Sequence, residues 1–278
     1  MAIRSAHTLG KFRGTLLLVG AGKMGSAMLD GWLARGLKPK QIVVIEPHPA
    51  KTLKAPAKRG LKLNPKSKPA AADAVVIAVK PQTAAEAVPQ LGPYIGKTTL
   101  VVSIMAGRTI GFLEKSLPPG AAIVRAMPNT PAAIGRGISV AVANARVSTR
   151  QRKQASDLLA AIGKVEWVGN EALMDAVTAL SGSGPAYVFL LAEAMANAGI
   201  AAGLPPALAT RLAQETVAGS GELLYRSNLD AATLRENVTS PGGTTAAALE
   251  VLMGPSGFEQ ILTRAIDAAT RRSRELAG

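Results

Sequence analysis

A glycine-rich hexapeptide, Gly20-Ala21-Gly22-Lys23-Met24-Gly25, joins two segments of opposite character. Before it runs the apolar stretch TLLLV. After it comes a helical pattern over 25–35, followed by Gly36, which suits a helix stop because glycine tolerates a left-handed backbone. The next apolar run, IVVI, completes a strand–turn–helix–strand unit of the ~30 residues that a parallel crossover needs. Each glycine then has a task that a side chain would obstruct. Gly20 permits the tight turn, Gly22 lets the backbone approach a bound group, and Gly25 lets the helix lie close to the strand.

In that setting the turn reads as a dinucleotide cradle, with pyrophosphate received by free N–H groups at the positive end of the helix. An ordinary glycine-rich turn is the alternative, and the complete crossover unit weighs against it. Glu46 ends the second strand, about 20 residues on, where an acid usually accepts a ribose 2′-hydroxyl and favours NAD. His48 and Lys51 follow at once and offer partners to a 2′-phosphate, or simply belong to a solvated loop. NADH and NADPH therefore both stay open as the cofactor.

The first half of the chain repeats this alternation. Candidate strands fall at 15–19, 42–45, 74–79, 100–104, 123–127, 138–143 and 165–168, with helical patterns at 25–35, 83–90, 109–116 and 149–162. Such an order implies an α/β domain, a Rossmann-like and mostly parallel sheet with helices on both faces. Continuous apolar runs such as AVVIAV suit strands buried on both sides. Beyond residue 168 the strand signal stops. Alanine- and leucine-rich stretches at 171–202, 206–225, 244–253 and 257–276 indicate an all-α domain. The expected division is thus 1–168, opening with a flexible tail over 1–14, and 169–278. Alanine and glycine on the helix faces suit either close packing within one bundle or an interlocked dimer.

Charge follows the same division. Residues 1–168 hold 25 of the 32 basic and 7 of the 18 acidic residues, whereas 169–278 contain neither lysine nor histidine and are net acidic. Aromatic residues are only 3% of the chain, too few to stack bases along a nucleic acid, so the basic half reads as a solvated surface that attracts an anionic cofactor. Cysteine is absent, which removes disulfides, thiolate metal sites and a thiol nucleophile; no metal site is expected. No apolar run approaches the ~18 residues of a membrane span, and the first residues lack an apolar signal core, so a cytoplasmic location is the expectation.

Ligands of open α/β sheets bind beyond the carboxyl ends of the strands, where two further loops fall. Ala78, Val79, Lys80 and Pro81 close one strand; Asn129, within MPNTP, follows another. These are candidate cofactor contacts, or plain turn residues. In the helical half, SGSGPAY interrupts a helical pattern and exposes the hydroxyls of Ser181 and Ser183. The segment VTSPGGTT, with Ser240, Gly242, Gly243, Thr244 and Thr245, precedes a helix and reads as an N-cap or as a site for a carboxylate.

GAGKMGSAM, AVKPQ, MPNTP, SGSGPAY and VTSPGGTTAAAL occur in this order, and over about residues 15–276 the chain resembles the pyrroline-5-carboxylate reductases. The resemblance implies a helical substrate-binding and dimerisation domain after the Rossmann-like one. It implies reduction of the C=N bond of 1-pyrroline-5-carboxylate to L-proline with NADPH or NADH. By motif, Gly20, Ala21, Gly22, Lys23, Met24 and Ala78 to Pro81 would hold the cofactor. Ser240 to Thr245 would hold the substrate, with Thr245 hydrogen-bonded to the ring nitrogen. Homodimers with shared sites, assembled further into decamers, are also implied. Lys23 departs from the asparagine or other polar residue common in the family, and Glu46 sits uneasily with a family that often prefers NADPH.

The absence of histidine, lysine and cysteine after residue 168 leaves no conventional strong acid–base pair on the substrate side. Imine reduction tolerates this, because a protonated iminium carbon is already electrophilic and the protein must mainly align it and exclude water. The same absence argues against a β-hydroxyacid dehydrogenase, whose scheme uses a lysine there. A non-catalytic dinucleotide sensor would need no second loop like VTSPGGTT.

Overall fold

The first apolar run becomes a strand whose side chains are buried on both faces. In the computed structural model, which describes residues 9–66 and 71–277, β1 (Leu16–Val19) lies inside an eight-stranded sheet. The others are β2 (Ile42–Ile45), β3 (Lys62–Leu63), β4 (Ala74–Ile77), β5 (Leu100–Ser103), β6 (Ala122–Met127), β7 (Gly137–Ala143) and β8 (Gly163–Trp167). Their spatial order is 3-2-1-4-5-6-7-8, parallel throughout except for the antiparallel pair β6–β7. Chain order reverses between β1 and β4, which are neighbours although β2 and β3 intervene in sequence. A crevice opens at such a switch point.

Alternate residues of each strand feed two cores. Leu16, Leu18, Val44, Val76 and Val102 face one, and Leu17, Val43, Val75, Ile77 and Val101 the other. The first core is covered by α1 (Lys23–Ala34), through Met28, Leu29 and Trp32, and by α5 (Thr149–Leu159), through Leu158 and Leu159. Trp32 is fully buried, and its indole N–H donates to the Leu158 carbonyl at 2.9 Å, joining the two helices. The second core receives α4 (Ile110–Ser116) through Ile110 and Leu113.

Several expected elements differ in detail. The short edge strand β3 carries too little apolar pattern to be read. The expected helix over 83–90 is instead α3 (Ala84–Ala87) between the 3-10 turns Pro81–Thr83 and Pro89–Tyr94, because proline removes the backbone donors a longer α-helix needs. The expected helix over 149–162 ends as the 3-10 turn Ala160–Ile162. A short helix, α2 (Lys54–Lys58), precedes β3. Of the expected flexible tail, 1–8 lie outside the described residues. Leu9–Lys11 form a 3-10 turn with Leu9 buried and its N–H donating to the Arg35 carbonyl at 3.0 Å, so this part is docked.

The stretch over 171–202 is not one helix. It contains the 3-10 turn Glu171–Leu173, α6 (Met174–Val177), a π-helical turn Thr178–Gly182 and α7 (Gly184–Ala201). Then come α8 (Pro206–Arg226), α9 (Ala231–Asn237), α10 (Thr244–Leu252) and α11 (Phe258–Ala277). α9 is a further helix that the sequence pattern did not announce.

The sheet ends near the expected boundary at 168, yet the chain divides into compact units elsewhere. One unit runs to Gly182 and takes in Thr270 onward; the other is Ser183–Ala269. The physical reason is that residues 171–182 pack on the sheet domain. Glu171 pairs with the buried Arg125 of β6 at 2.8 Å and accepts from the Ile110 N–H at 2.8 Å, and Met174 is fully buried in the second core. In the other unit α7 and α8 form a helical hairpin in which Gly199 meets Ala209 closely. Its buried apolar side chains are Ala196, Ala209 and Ala213, while Phe189, Leu190, Leu223 and Val251 stand exposed. Among the described residues no helix is long and apolar enough to cross a membrane.

Replacing Trp32 by alanine removes both the packing and the indole hydrogen bond. It is expected to destabilise the sheet unit by about 3–5 kcal/mol, read as a lowered thermal midpoint. An unchanged midpoint would show that α1 and α5 hold together without it.

Candidate active site

The carboxyl ends of β1 and β4 meet within one hydrogen bond, the Ala78 N–H donating to the Val19 carbonyl at 2.7 Å. Here Gly20 turns the chain at φ +91°, and a Cβ on it would lie 2.7 Å from the Ala78 carbonyl oxygen. Only glycine allows both the left-handed conformation and this approach. Gly25, buried in the first turns of α1, packs against the Gly20 carbonyl oxygen, so a side chain there would collide with backbone. Gly22 is the opposite case. It is exposed, a Cβ on it would meet nothing within 4 Å, and no side chain caps the start of α1. The first-turn N–H groups beside Gly22, Lys23 and Met24 therefore border open space. This cradle fits the phosphates of a dinucleotide, as the sequence pattern requires.

Glu46 lies beside the same loop at the end of β2. One carboxylate oxygen accepts from the Ala21 N–H at 2.7 Å and the other from the His48 N–H at 3.0 Å. Asn64, just beyond β3, holds the Glu46 backbone from both sides, accepting from its N–H at 2.9 Å and donating to its carbonyl at 2.8 Å. Asn64 does this from a positive φ of 45°, which asparagine tolerates better than most residues. Sequence reasoning missed it; an asparagine before Pro65 was the available signal.

Beyond the end of β4, Ala78 and Val79 are half-buried and Lys80 is exposed, with Pro81 opening the 3-10 turn. The Pro81 carbonyl accepts from Arg108 Nε at 3.1 Å and Nη2 at 2.9 Å, and the Arg108 guanidinium lies over the Phe112 ring. Arg108 is a second residue that sequence reasoning missed, since its partner is 27 positions away. Asn129 accepts from the Ile138 N–H at 2.9 Å, and its amide reaches the Ser181 hydroxyl at 3.4 Å. The structure thus brings together two expected site residues far apart in sequence. The SGSGPAY interruption is a π-turn leading into α7, with Ser183 as the residue before that helix.

The remaining candidates belong to the Ser183–Ala269 unit. Gly242 turns the chain at φ +69°, the Gly243 N–H donates to the Ser240 carbonyl at 3.0 Å, and α10 starts at Thr244 without a side-chain cap. Thr245 is half-buried on the first turn, and its hydroxyl makes no hydrogen bond among the described residues. The N-cap of α10 is thus Gly243, with no side-chain cap, and not Ser240.

Comparison with known proteins agrees with this geometry. Residues 171–276 match the family model described as pyrroline-5-carboxylate reductase dimerisation, and residues 15–107 match that described as NADP oxidoreductase coenzyme F420-dependent. A pyrroline-5-carboxylate reductase of Pseudomonas aeruginosa is 40% identical, covering 94% of this chain and 96% of the relative. The chain belongs to the pyrroline-5-carboxylate reductase family. The solved family member from Coxiella burnetii superposes with a TM-score of 0.87 at 34% identity, covering 95% of this chain and 99% of that one. The Plasmodium falciparum member, solved with NADP bound, gives 0.79 at 31% identity, covering 96% and 99%.

The two glycines separate folding from binding. Gly25→Val is expected to lower the thermal midpoint, because its side chain strikes the Gly20 carbonyl. Gly22→Val should leave stability within about 1 kcal/mol while weakening nucleotide binding by at least about tenfold. Equal behaviour of both variants in melting and in nucleotide titration would contradict the cradle.

Proposed function

We propose that this family member reduces the C=N bond of 1-pyrroline-5-carboxylate to give L-proline, using NADPH or NADH. The observation that carries the reading is the open face of Gly22, at the uncapped start of α1 and beside the β1–β4 switch point. A reduced nicotinamide, when bound, supplies the hydride. Gly20 to Gly25 would receive the pyrophosphate through backbone N–H groups and the positive helix end. Ala78 to Pro81 and Asn129 would border the rest of the cofactor, Pro81 being held by Arg108.

In the other unit, the uncapped first turn of α10 offers N–H donors to the substrate carboxylate, with Ser240, Gly242, Gly243 and Thr244 shaping the turn. Thr245 has a hydroxyl with no partner among the described residues, suited to orient the ring nitrogen. Ser181, in the π-turn, and Ser183, just after it, would be further substrate contacts. Because the helical half has no histidine, lysine or cysteine, these groups orient rather than exchange protons strongly, which suffices for an iminium that accepts hydride.

The exposed Phe189, Leu190, Leu223 and Val251 need cover that the unit does not provide for itself, which supports a homodimer through this domain. A decameric assembly, a cytoplasmic site of action and the lack of any nucleic-acid or membrane partner complete the proposal.

Nicotinamide absorbance should fall when the protein is mixed with pyrroline-5-carboxylate and either reduced cofactor, with proline accumulating. No consumption with either cofactor would sink the reading. Thr245→Ala should lower kcat/KM by about 10–1000-fold, as loss of a single positioned donor does elsewhere, with a native melting profile. Full turnover in that variant would remove Thr245 from the mechanism.

A further inference from the structure

The end of β2 decides which dinucleotide this cradle takes. We propose that Glu46 makes the site selective for a nucleotide with a free adenosine ribose 2′-hydroxyl, NADH rather than NADPH. The inference rests on the dinucleotide reading above and runs against the NADP bound in the Plasmodium falciparum relative.

Three observations carry it. First, Glu46 is at the carboxyl end of the strand next to β1, and its carboxylate touches the glycine loop itself through the Ala21 N–H at 2.7 Å. Second, the side chain is tethered at both oxygens, the second by the His48 N–H at 3.0 Å. Swinging it away to admit a phosphate would leave two peptide donors without their acceptor. Third, the backbone under it is fixed by the paired hydrogen bonds with Asn64, so the loop has little freedom to carry the carboxylate elsewhere.

Each carboxylate oxygen keeps a further lone pair after accepting one backbone N–H, so Glu46 can still accept from a hydroxyl. A 2′-hydroxyl has a proton to give. A 2′-phosphate brings about two negative charges and mostly acceptor atoms, and next to a half-buried carboxylate it meets repulsion with no compensating donor from Glu46. The groups that offer compensation, the His48 ring and the Lys51 side chain, are both exposed, where solvent and salt weaken what they supply. The half-buried, doubly tethered charge therefore outweighs these exposed groups.

The test is equilibrium binding to the full-length protein with no substrate present. NADH and NADPH are titrated by nicotinamide fluorescence, and 5′-ADP and 2′,5′-ADP serve as competitors that lack the reactive ring. Wild-type protein should bind NADH at least about tenfold more tightly than NADPH, and 5′-ADP more tightly than 2′,5′-ADP. Glu46→Gln keeps an acceptor and the shape but removes the charge. It should tighten NADPH and 2′,5′-ADP by about tenfold while changing NADH by only a few-fold. Glu46→Ser serves the same purpose with a smaller side chain.

Wild-type binding of NADPH as tight as NADH or tighter overturns the inference without need of any variant. So does a variant that weakens both nucleotides equally, the signature of a merely structural residue. Binding of neither nucleotide overturns the dinucleotide reading and this inference with it, a result distinct from tight but unselective binding.

Discussion

Gly20 and the Ala78–Val79 peptide approach each other so closely that a single methyl group between them would force two strands apart. That approach lets β1 and β4 lie side by side while the chain detours through α1, β2 and β3. Parallel pairing of strands remote in sequence carries an entropic cost, and it is met here by apolar strands whose residues are buried on both faces. At the same reversal the glycine loop leaves β1 beside Ala78, at the end of β4. The uncapped start of α1 and the carboxylate of Glu46 both border that loop. Removing the close contact would disturb core and loop together.

A second constraint operates in the helical half. With only alanine side chains buried in the Ser183–Ala269 unit, its helices approach closely but gain little from their own interior. Large apolar residues stand on its outside, within the segment that matches the dimerisation family model. The sheet unit meanwhile takes 171–182 for itself, through the Arg125–Glu171 pair and Met174. Breaking such a pair by removing one partner leaves an unmatched buried charge, so this short connection is anchored rather than loose.

Legibility of the sequence varied with how local the cause was. The glycine loop was readable because its residues act on their immediate neighbours: strand, turn and helix follow one another. The long alanine-rich helices were readable by composition and length. β3 was not, since two residues on a sheet edge bear no period, and α9 was hidden in a polar seven-residue stretch. Proline at 89 cut short the helix expected over 83–90. Among site residues, Asn64 and Arg108 escaped notice because each acts on a backbone far along the chain.

The order of motifs, the strand–helix alternation and the lack of any histidine, lysine or cysteine in the helical half were set by the sequence alone. They sufficed for the fold class and the family, because local propensity and short-range turns carry that information. Tertiary structure alone decided that Gly22 faces open space while Gly25 does not, that Glu46 is tied down at both oxygens, and that Asn129 meets Ser181. Those facts depend on which distant segments the sheet order brings into contact, and no run of neighbouring residues records that.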